Sequence, residues 1–149
     1  MLRRALVTLG LFVASQGLAH DEGHGPKLKD PAKRGGKLAP VIAHNEISKG
    51  TKATMLYKAE FTKNAENLVR VYLYDEKMAP KTLAIKGASG TIYYKDKAKN
   101  KMAEIPVSMK VENGEITASL PADIGKPFDL DVTLETEDKK LFIAFDGNR

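Results

Sequence analysis

Residues 52–74 read KATMLYKAEFTKNAENLVRVYLY, and this stretch decides the fold class. Small or apolar residues alternate with mainly polar ones over 53–61, which is the period of a strand with one buried face. Residues 68–74 alternate in the same way, and the polar residues between the two runs are typical of a hairpin connection. We therefore expect two neighbouring antiparallel strands here.

The rest of the chain repeats this pattern at short, fairly regular spacing. Further strand-like runs lie at 38–43, 91–94, 103–111, 116–120, 128–134 and 141–145. Asn113-Gly114 is a strong signal for a tight hairpin turn. The sequence therefore predicts one all-β domain over 37–149, an antiparallel immunoglobulin-like β-sandwich of about seven to nine strands. A small closed barrel is the main alternative.

The first 19 residues have the layout of an export signal. A basic start precedes an apolar run at 5–14, and the small residues Gly17 and Ala19 suit the positions before a signal-peptidase cut. We expect the cut between Ala19 and His20. The apolar run is shorter than the roughly 20 residues of a membrane-spanning helix. The sequence thus predicts a periplasmic or secreted protein with no transmembrane segment after cleavage.

Residues 20–36, HDEGHGPKLKDPAKRGG, are rich in glycine, proline and charge. Such a composition predicts a flexible tail between the signal peptide and the domain. The net charge of +5 includes Arg3 and Arg4 of the signal, and the later basic residues are interleaved with acidic ones. This distribution favours a solvated surface and argues against binding to nucleic acid.

The reactive side chains of the sequence argue against an enzyme. The chain has no cysteine and only three histidines, and it lacks a P-loop, a dinucleotide-binding glycine pattern and an HExxH motif. A Ser-His-Asp array would have to use His44, and no serine lies in the elbow-like context that such an array needs. We therefore expect a non-catalytic binding protein.

The histidines instead favour a site for a divalent metal ion at the predicted mature end. His20 would be the first mature residue, so its amine and its ring could chelate one Cu(II) or Ni(II) ion. His24, with Asp21 or Glu22, would complete the nitrogen and oxygen ligands that copper favours. His44 could join if the tail docks beside it. We expect Cu(II) first and no other cofactor; the alternative is a solvated leader that binds nothing.

A second candidate site lies in residues 68–74. Arg70, Tyr72 and Tyr74 share one face of this predicted strand, and the opposite face is aliphatic, with Val69, Val71 and Leu73. The aliphatic face is the better candidate for the core, which would leave the tyrosines outside. Aromatic rings with a polar tip are favoured at interfaces. The competing hypothesis is therefore an envelope module that contacts another protein through this face, with the tail only as a tether.

Several short motifs follow one another between residues 20 and 95. They are a His-rich leader, Gly35-Gly36, an aromatic-x-x-Glu strand at 57–60, and VYLYD at 71–75 followed by Pro80. In these motifs the chain resembles small exported proteins of Gram-negative bacteria found near metal-efflux components. The resemblance implies a periplasmic β-sandwich with a role in metal handling.

The chain is also similar, in size and predicted topology class, to the periplasmic copper-carrier sandwiches. Those proteins bind Cu(II) through a mature N-terminal histidine, as expected here for His20. Their later Asp-x-His ligand pair has no counterpart, because no histidine follows His44. A copper site in this chain would therefore use a different set of ligands.

Overall fold

The structure, a computed structural model, describes residues 24–148. It contains eight antiparallel strands: β1 Lys37–Ala43, β2 Met55–Lys63, β3 Leu68–Tyr74, β4 Gly87–Asp96, β5 Lys101–Glu112, β6 Glu115–Ser119, β7 Phe128–Glu135 and β8 Lys140–Asn148. A 3₁₀ helix, His44–Lys52, connects β1 to β2. The predicted signal peptide and three predicted metal ligands, His20, Asp21 and Glu22, lie outside the described residues.

The strands close into a barrel in the order β1-β2-β3-β6-β5-β4-β7-β8. The predicted immunoglobulin-like β-sandwich is therefore wrong, although the all-β class is correct. A sandwich divides its strands between two sheets, whereas here every strand has two hydrogen-bonded neighbours. Strand β1 closes the ring by pairing with both β2 and β8.

Strand β5 makes this closure possible because its two halves pair with different strands. Residues 101–108 pair with β4, and residues 109–112 pair with β6. The long strand β5 thus links β4 to β6 in one continuous sheet. An alternating pattern marks one buried face in both architectures, so the pattern alone does not separate them.

The inward faces of the strands fill the barrel with apolar side chains. The predicted core face of β3 is confirmed, since Val69, Val71 and Leu73 are all buried. Phe61 of β2 packs against Phe128 and Phe145, with ring centroids 6.4 and 5.5 Å apart. Eight-stranded barrels of this size have interiors that side chains fill.

A second, smaller apolar cluster lies on the outer wall of β1 and β8. Its buried members are Ile42, Ala53, Phe142 and Ala144. The chain before β1 reaches this wall, because the amide of Gly25 donates to the carbonyl of Gly50 at 2.9 Å. A Cβ on Gly25 would lie 2.6 Å from Cγ of Pro40, so only glycine allows this close approach. No helix in residues 24–148 is long and apolar enough to cross a membrane.

Candidate functional site

Residues 24–36 lie along the outside of the barrel, and we call this stretch the N-terminal segment. It contacts β8 through His24 and Phe142, and β2 through an ion pair of 2.7 Å between Asp30 and Lys58. At its end it contacts β2 again through Glu60. The flexibility of this tail stays a prediction, but the structure gives the segment defined contacts at both ends.

The carboxylate of Glu60 is the main anchor of the N-terminal segment. Its Oε1 accepts hydrogen bonds from the amides of Arg34 at 2.8 Å and Gly36 at 2.9 Å. Its Oε2 accepts from the amide of Lys33 at 3.1 Å and from the hydroxyl of Tyr74 at 2.9 Å. The Glu60 side chain has no exposed surface. A buried carboxylate thus joins three parts of the chain: the N-terminal segment, β2 and β3.

These four donors keep the Glu60 carboxyl charged. Burial by itself would raise its pKa, but the hydrogen bonds from Gly36, Arg34, Tyr74 and Lys33 stabilise the carboxylate more strongly, so the pKa lies below the ordinary value of 4.5. Burial, and then the hydrogen bond to Glu60, raise the pKa of Tyr74. Both shifts favour the ionised carboxylate and the neutral phenol.

Two glycines shape the turn that presents the amides to Glu60. Gly35 has φ +69°, a left-handed conformation that glycine adopts without strain. A Cβ on Gly36 would overlap the backbone carbonyl oxygen of Phe61. Glycine is therefore favoured at position 35 by the backbone conformation, and it is required at position 36 because there is no room for a Cβ. We call residues 33–36 with Glu60 and Tyr74 the clasp.

The motifs of the family resemblance that follow the His-rich leader meet in and beside the clasp. Gly35-Gly36, Glu60 and Tyr74 are members of it, and Asp75 organises the turn after β3. The Oδ1 of Asp75 accepts the amides of Lys77 and Ala79, each at 2.9 Å. Pro80 then pairs with Tyr74 as an isolated bridge. These motifs therefore have a structural explanation that involves no metal.

The predicted partner surface is partly covered by the N-terminal segment. Tyr74 lies on the outer face of β3 as predicted, but the clasp leaves it only 2% exposed. Tyr72 is half-buried, with the Arg34 guanidinium 4.0 Å from its ring centroid. Arg70 is half-buried on the same face. Of the three predicted residues, Arg70 and Tyr72 remain partly accessible.

Two of the predicted metal ligands, His24 and His44, come together at Phe142. The ring centroids of His24 and Phe142 are 5.2 Å apart, and those of His44 and Phe142 are 6.2 Å apart. Both imidazoles approach the phenyl ring edge to face, at 87°. The centroids of the two imidazole rings are therefore no further apart than the sum of these two distances. His44 is exposed, whereas Nδ1 of His24 is buried without a hydrogen-bond partner within residues 24–148.

The described residues alone do not assemble a complete metal site. Within residues 24–148, no group of three or more His, Cys, Asp or Glu side chains is arranged to hold a metal ion. His24, the first described residue, lies beside Phe142. A groove of about 310 Å³ adjoins His24, between the N-terminal segment and the strands β1 and β8. A metal site here needs ligands from the residues before His24.

Sequence reasoning missed Glu60 and Arg34 as anchoring residues. Glu60 lies on the polar face of its strand, where a carboxylate is normally solvated. The signal that could have identified it is the combination of Gly35-Gly36 with a strand glutamate and a nearby tyrosine. No family model, curated protein or solved structure matches this chain.

Proposed function

We propose that this protein is a non-catalytic, periplasmic or secreted protein that captures a divalent metal ion, copper first. The ion would be held where the N-terminal segment docks on the outer wall of β1 and β8. His24 and His44 would each provide an imidazole nitrogen. The mature end at His20, with Asp21 or Glu22, would provide the remaining ligands.

The observation that carries the proposal is the contact of His24 and His44 with one ring, Phe142. These residues are 20 positions apart in the sequence, and the docking of the N-terminal segment brings them to the same wall. His20 precedes His24 by four residues, a span of at most about 14 Å of extended chain. A chain of this length can return its amine to the two imidazoles.

The clasp supports the proposal by fixing the position of the segment. A ligand set from distant parts of a chain loses affinity when binding must also order the chain. Here the bonds from Lys33, Arg34 and Gly36 to Glu60 anchor one end of the segment, and the bond from Gly25 to Gly50 anchors the other. His24 is therefore held near His44 before any ion binds.

The ligand types favour copper over harder ions. Two imidazoles, an amine and a carboxylate form a nitrogen- and oxygen-rich set, which suits the tetragonal geometry of Cu(II). Zn(II) and Ni(II) accept the same ligands, but we expect both to bind more weakly than Cu(II). Calcium and magnesium require oxygen ligands and are not expected to compete.

The test is a competition titration with Cu(II) of protein processed to a His20 end. A second version carries one additional residue before His20, which removes the terminal amine from the chelate. We expect one-to-one binding that the added residue weakens, and at least about a tenfold loss of affinity in His44→Ala. The matched control is Asn45→Ala, a neighbouring exposed residue with no imidazole.

Two results would overturn the proposal. If all four proteins bind Cu(II) weakly and alike, the metal role is rejected. If the added residue weakens binding but His44→Ala does not, the ion is held by the chain end alone and the docked site is rejected.

A further inference from the structure

A second groove lies on the outer face of β3, on the other side of the clasp. It has a volume of about 200 Å³ and lies between β3, the start of β6 and residues 80–82. Its charged lining residues are Arg34, Arg70, Lys81 and Glu115. The lining thus contains three cationic side chains and one acidic side chain. The groove therefore carries an excess of positive charge.

The cationic side chains of this groove have no carboxylate partners in the described part of the chain. The ion pairs within residues 24–148 involve cations outside the groove: Lys49, Lys58, Lys86, Lys99, Lys139 and Lys140. Arg34 instead stacks on Tyr72, and the Lys81 ammonium lies 6.0 Å from the ring centroid of Tyr57. The charges of the groove are therefore available to an external anion.

Arg34 is held in place before any anion binds. Its backbone amide donates to Glu60 at 2.8 Å, and its guanidinium lies 4.0 Å from the centroid of the Tyr72 ring. A guanidinium has five N–H donors in a fixed fork, so donors remain for a planar acceptor such as a carboxylate. Preorganisation of this kind reduces the entropy lost on binding.

We propose that the groove binds a carboxylate side chain from an acidic segment of a partner protein. Its volume is below the 300 Å³ or more that small-molecule sites commonly have, which suits one side chain of a larger partner. Glu115 on the same lining lowers the net positive charge of the groove, which weakens the attraction of a multiply charged group such as phosphate more than that of a single carboxylate. Tyrosine and arginine are also the residue types enriched at protein interfaces.

This interaction is independent of the metal site. The groove lies on β3 and β6, whereas His24 and His44 lie beside β8 and the 3₁₀ helix. Peptide binding can therefore be measured without any metal ion. Failure of one proposal leaves the other open to its own test.

The test is an NMR titration of the metal-free protein with two short extended peptides, one of alternating glutamate and alanine, the other with glutamine in place of glutamate. We expect the glutamate peptide to shift the signals of Arg34, Arg70 and Tyr72, with no such shifts from the glutamine peptide. Arg70→Gln should weaken binding at least about fivefold, the size of one charged contact. Lys139→Gln, an exposed lysine at the β7–β8 turn, is the matched control and should bind as the parent protein does.

Arg34→Lys separates fork recognition from charge alone. Lysine keeps the charge but cannot form the two parallel bonds, so we expect weaker binding of the glutamate peptide. The Arg70→Gln protein should unfold at the same temperature as the parent protein, which would show that the substitution leaves the fold intact.

Several results would contradict the proposal. They are equal binding of the glutamine peptide, shifts located elsewhere on the barrel, and no binding at millimolar peptide. Inorganic phosphate or anionic lipid vesicles that compete as well as the glutamate peptide would also contradict it, because the groove would then be a general anion site.

Discussion

The hydroxyl of Tyr74 donates a hydrogen bond of 2.9 Å to Oε2 of Glu60, which links β3 to β2 on the outer wall of the barrel. The same carboxylate accepts the backbone amides of Lys33, Arg34 and Gly36. One buried charge therefore connects the barrel wall to the N-terminal segment. This connection positions Arg34, whereas the bond from Gly25 to Gly50 holds the segment beside His24.

The clasp predicts an acid-sensitive contribution to stability. The pKa of Glu60 is lowered in the folded protein, so its stabilising effect is complete above the ordinary value of 4.5 and is lost as the pH falls through the folded pKa. Glu60→Gln should lower the free energy of unfolding by about 3 kcal/mol at neutral pH. The difference between the two proteins should shrink on acidification. Thermal unfolding from about pH 7 to pH 3 tests this, and a constant difference would contradict it.

Removal of the Tyr74 hydroxyl should weaken the clasp without disturbing the core. Tyr74→Phe removes one of four donors from a buried carboxylate, and we expect a loss of about 2 kcal/mol in denaturant unfolding. Tyr72→Phe is the matched control on the same face, because the structure describes only a ring contact for Tyr72. It should change stability by less than about 0.5 kcal/mol. Equal effects would mean that the Tyr74 bond contributes little.

The space around Gly36 predicts a strong effect of one added methyl group. In Gly36→Ala the Cβ would overlap the carbonyl oxygen of Phe61, so the turn must shift and its amide leaves Glu60. We expect a loss of about 2 kcal/mol or more. In Gly87→Ala the nearest atom is 3.7 Å from the new Cβ, so this control should unfold close to the parent protein. Similar midpoints for the two variants would contradict the clasp geometry.

The ion pair of Asp30 and Lys58 provides a fourth test of segment docking. Lys58 donates to Asp30 and to the carbonyl of Glu76, each at 2.7 Å, and its side chain is only 7% exposed. Asp30→Asn leaves this buried ammonium without its counter-charge, which is costly. Asp138→Asn, beside the exposed Lys139, is the control. We expect a clear fall in melting temperature for Asp30→Asn alone, and equal melting temperatures would show that the pair is not important.

Much of the fold was predictable from local patterns. Strand β3 begins and ends where the alternation of residues 68–74 places it, and the core face of Val69, Val71 and Leu73 follows from the same period. Closure into a barrel was not predictable, because it depends on which neighbours each half of β5 finds. Strand pairing is a long-range property that alternation does not encode.

The sites show the same division between local and long-range information. His24 and His44 were identifiable by residue type, but their approach to Phe142 depends on how the segment docks. Tyr74 has the alternation of an outward-facing residue, and it is buried only because the segment covers it. Glu60 likewise has the sequence pattern of a solvated residue. Its burial was not predictable, because its four donors come from distant parts of the chain.

The most direct test of the metal proposal is to locate bound Cu(II) by paramagnetic broadening of NMR signals. Protein with His20 at its N-terminus receives one equivalent of Cu(II), and the amide signals are compared before and after. We expect the signals of His24, Gly25 and His44 to disappear, while those of β5 and β6 across the barrel stay sharp. Broadening confined to the residues before His24, or spread evenly over the surface, would contradict a site at the docked segment.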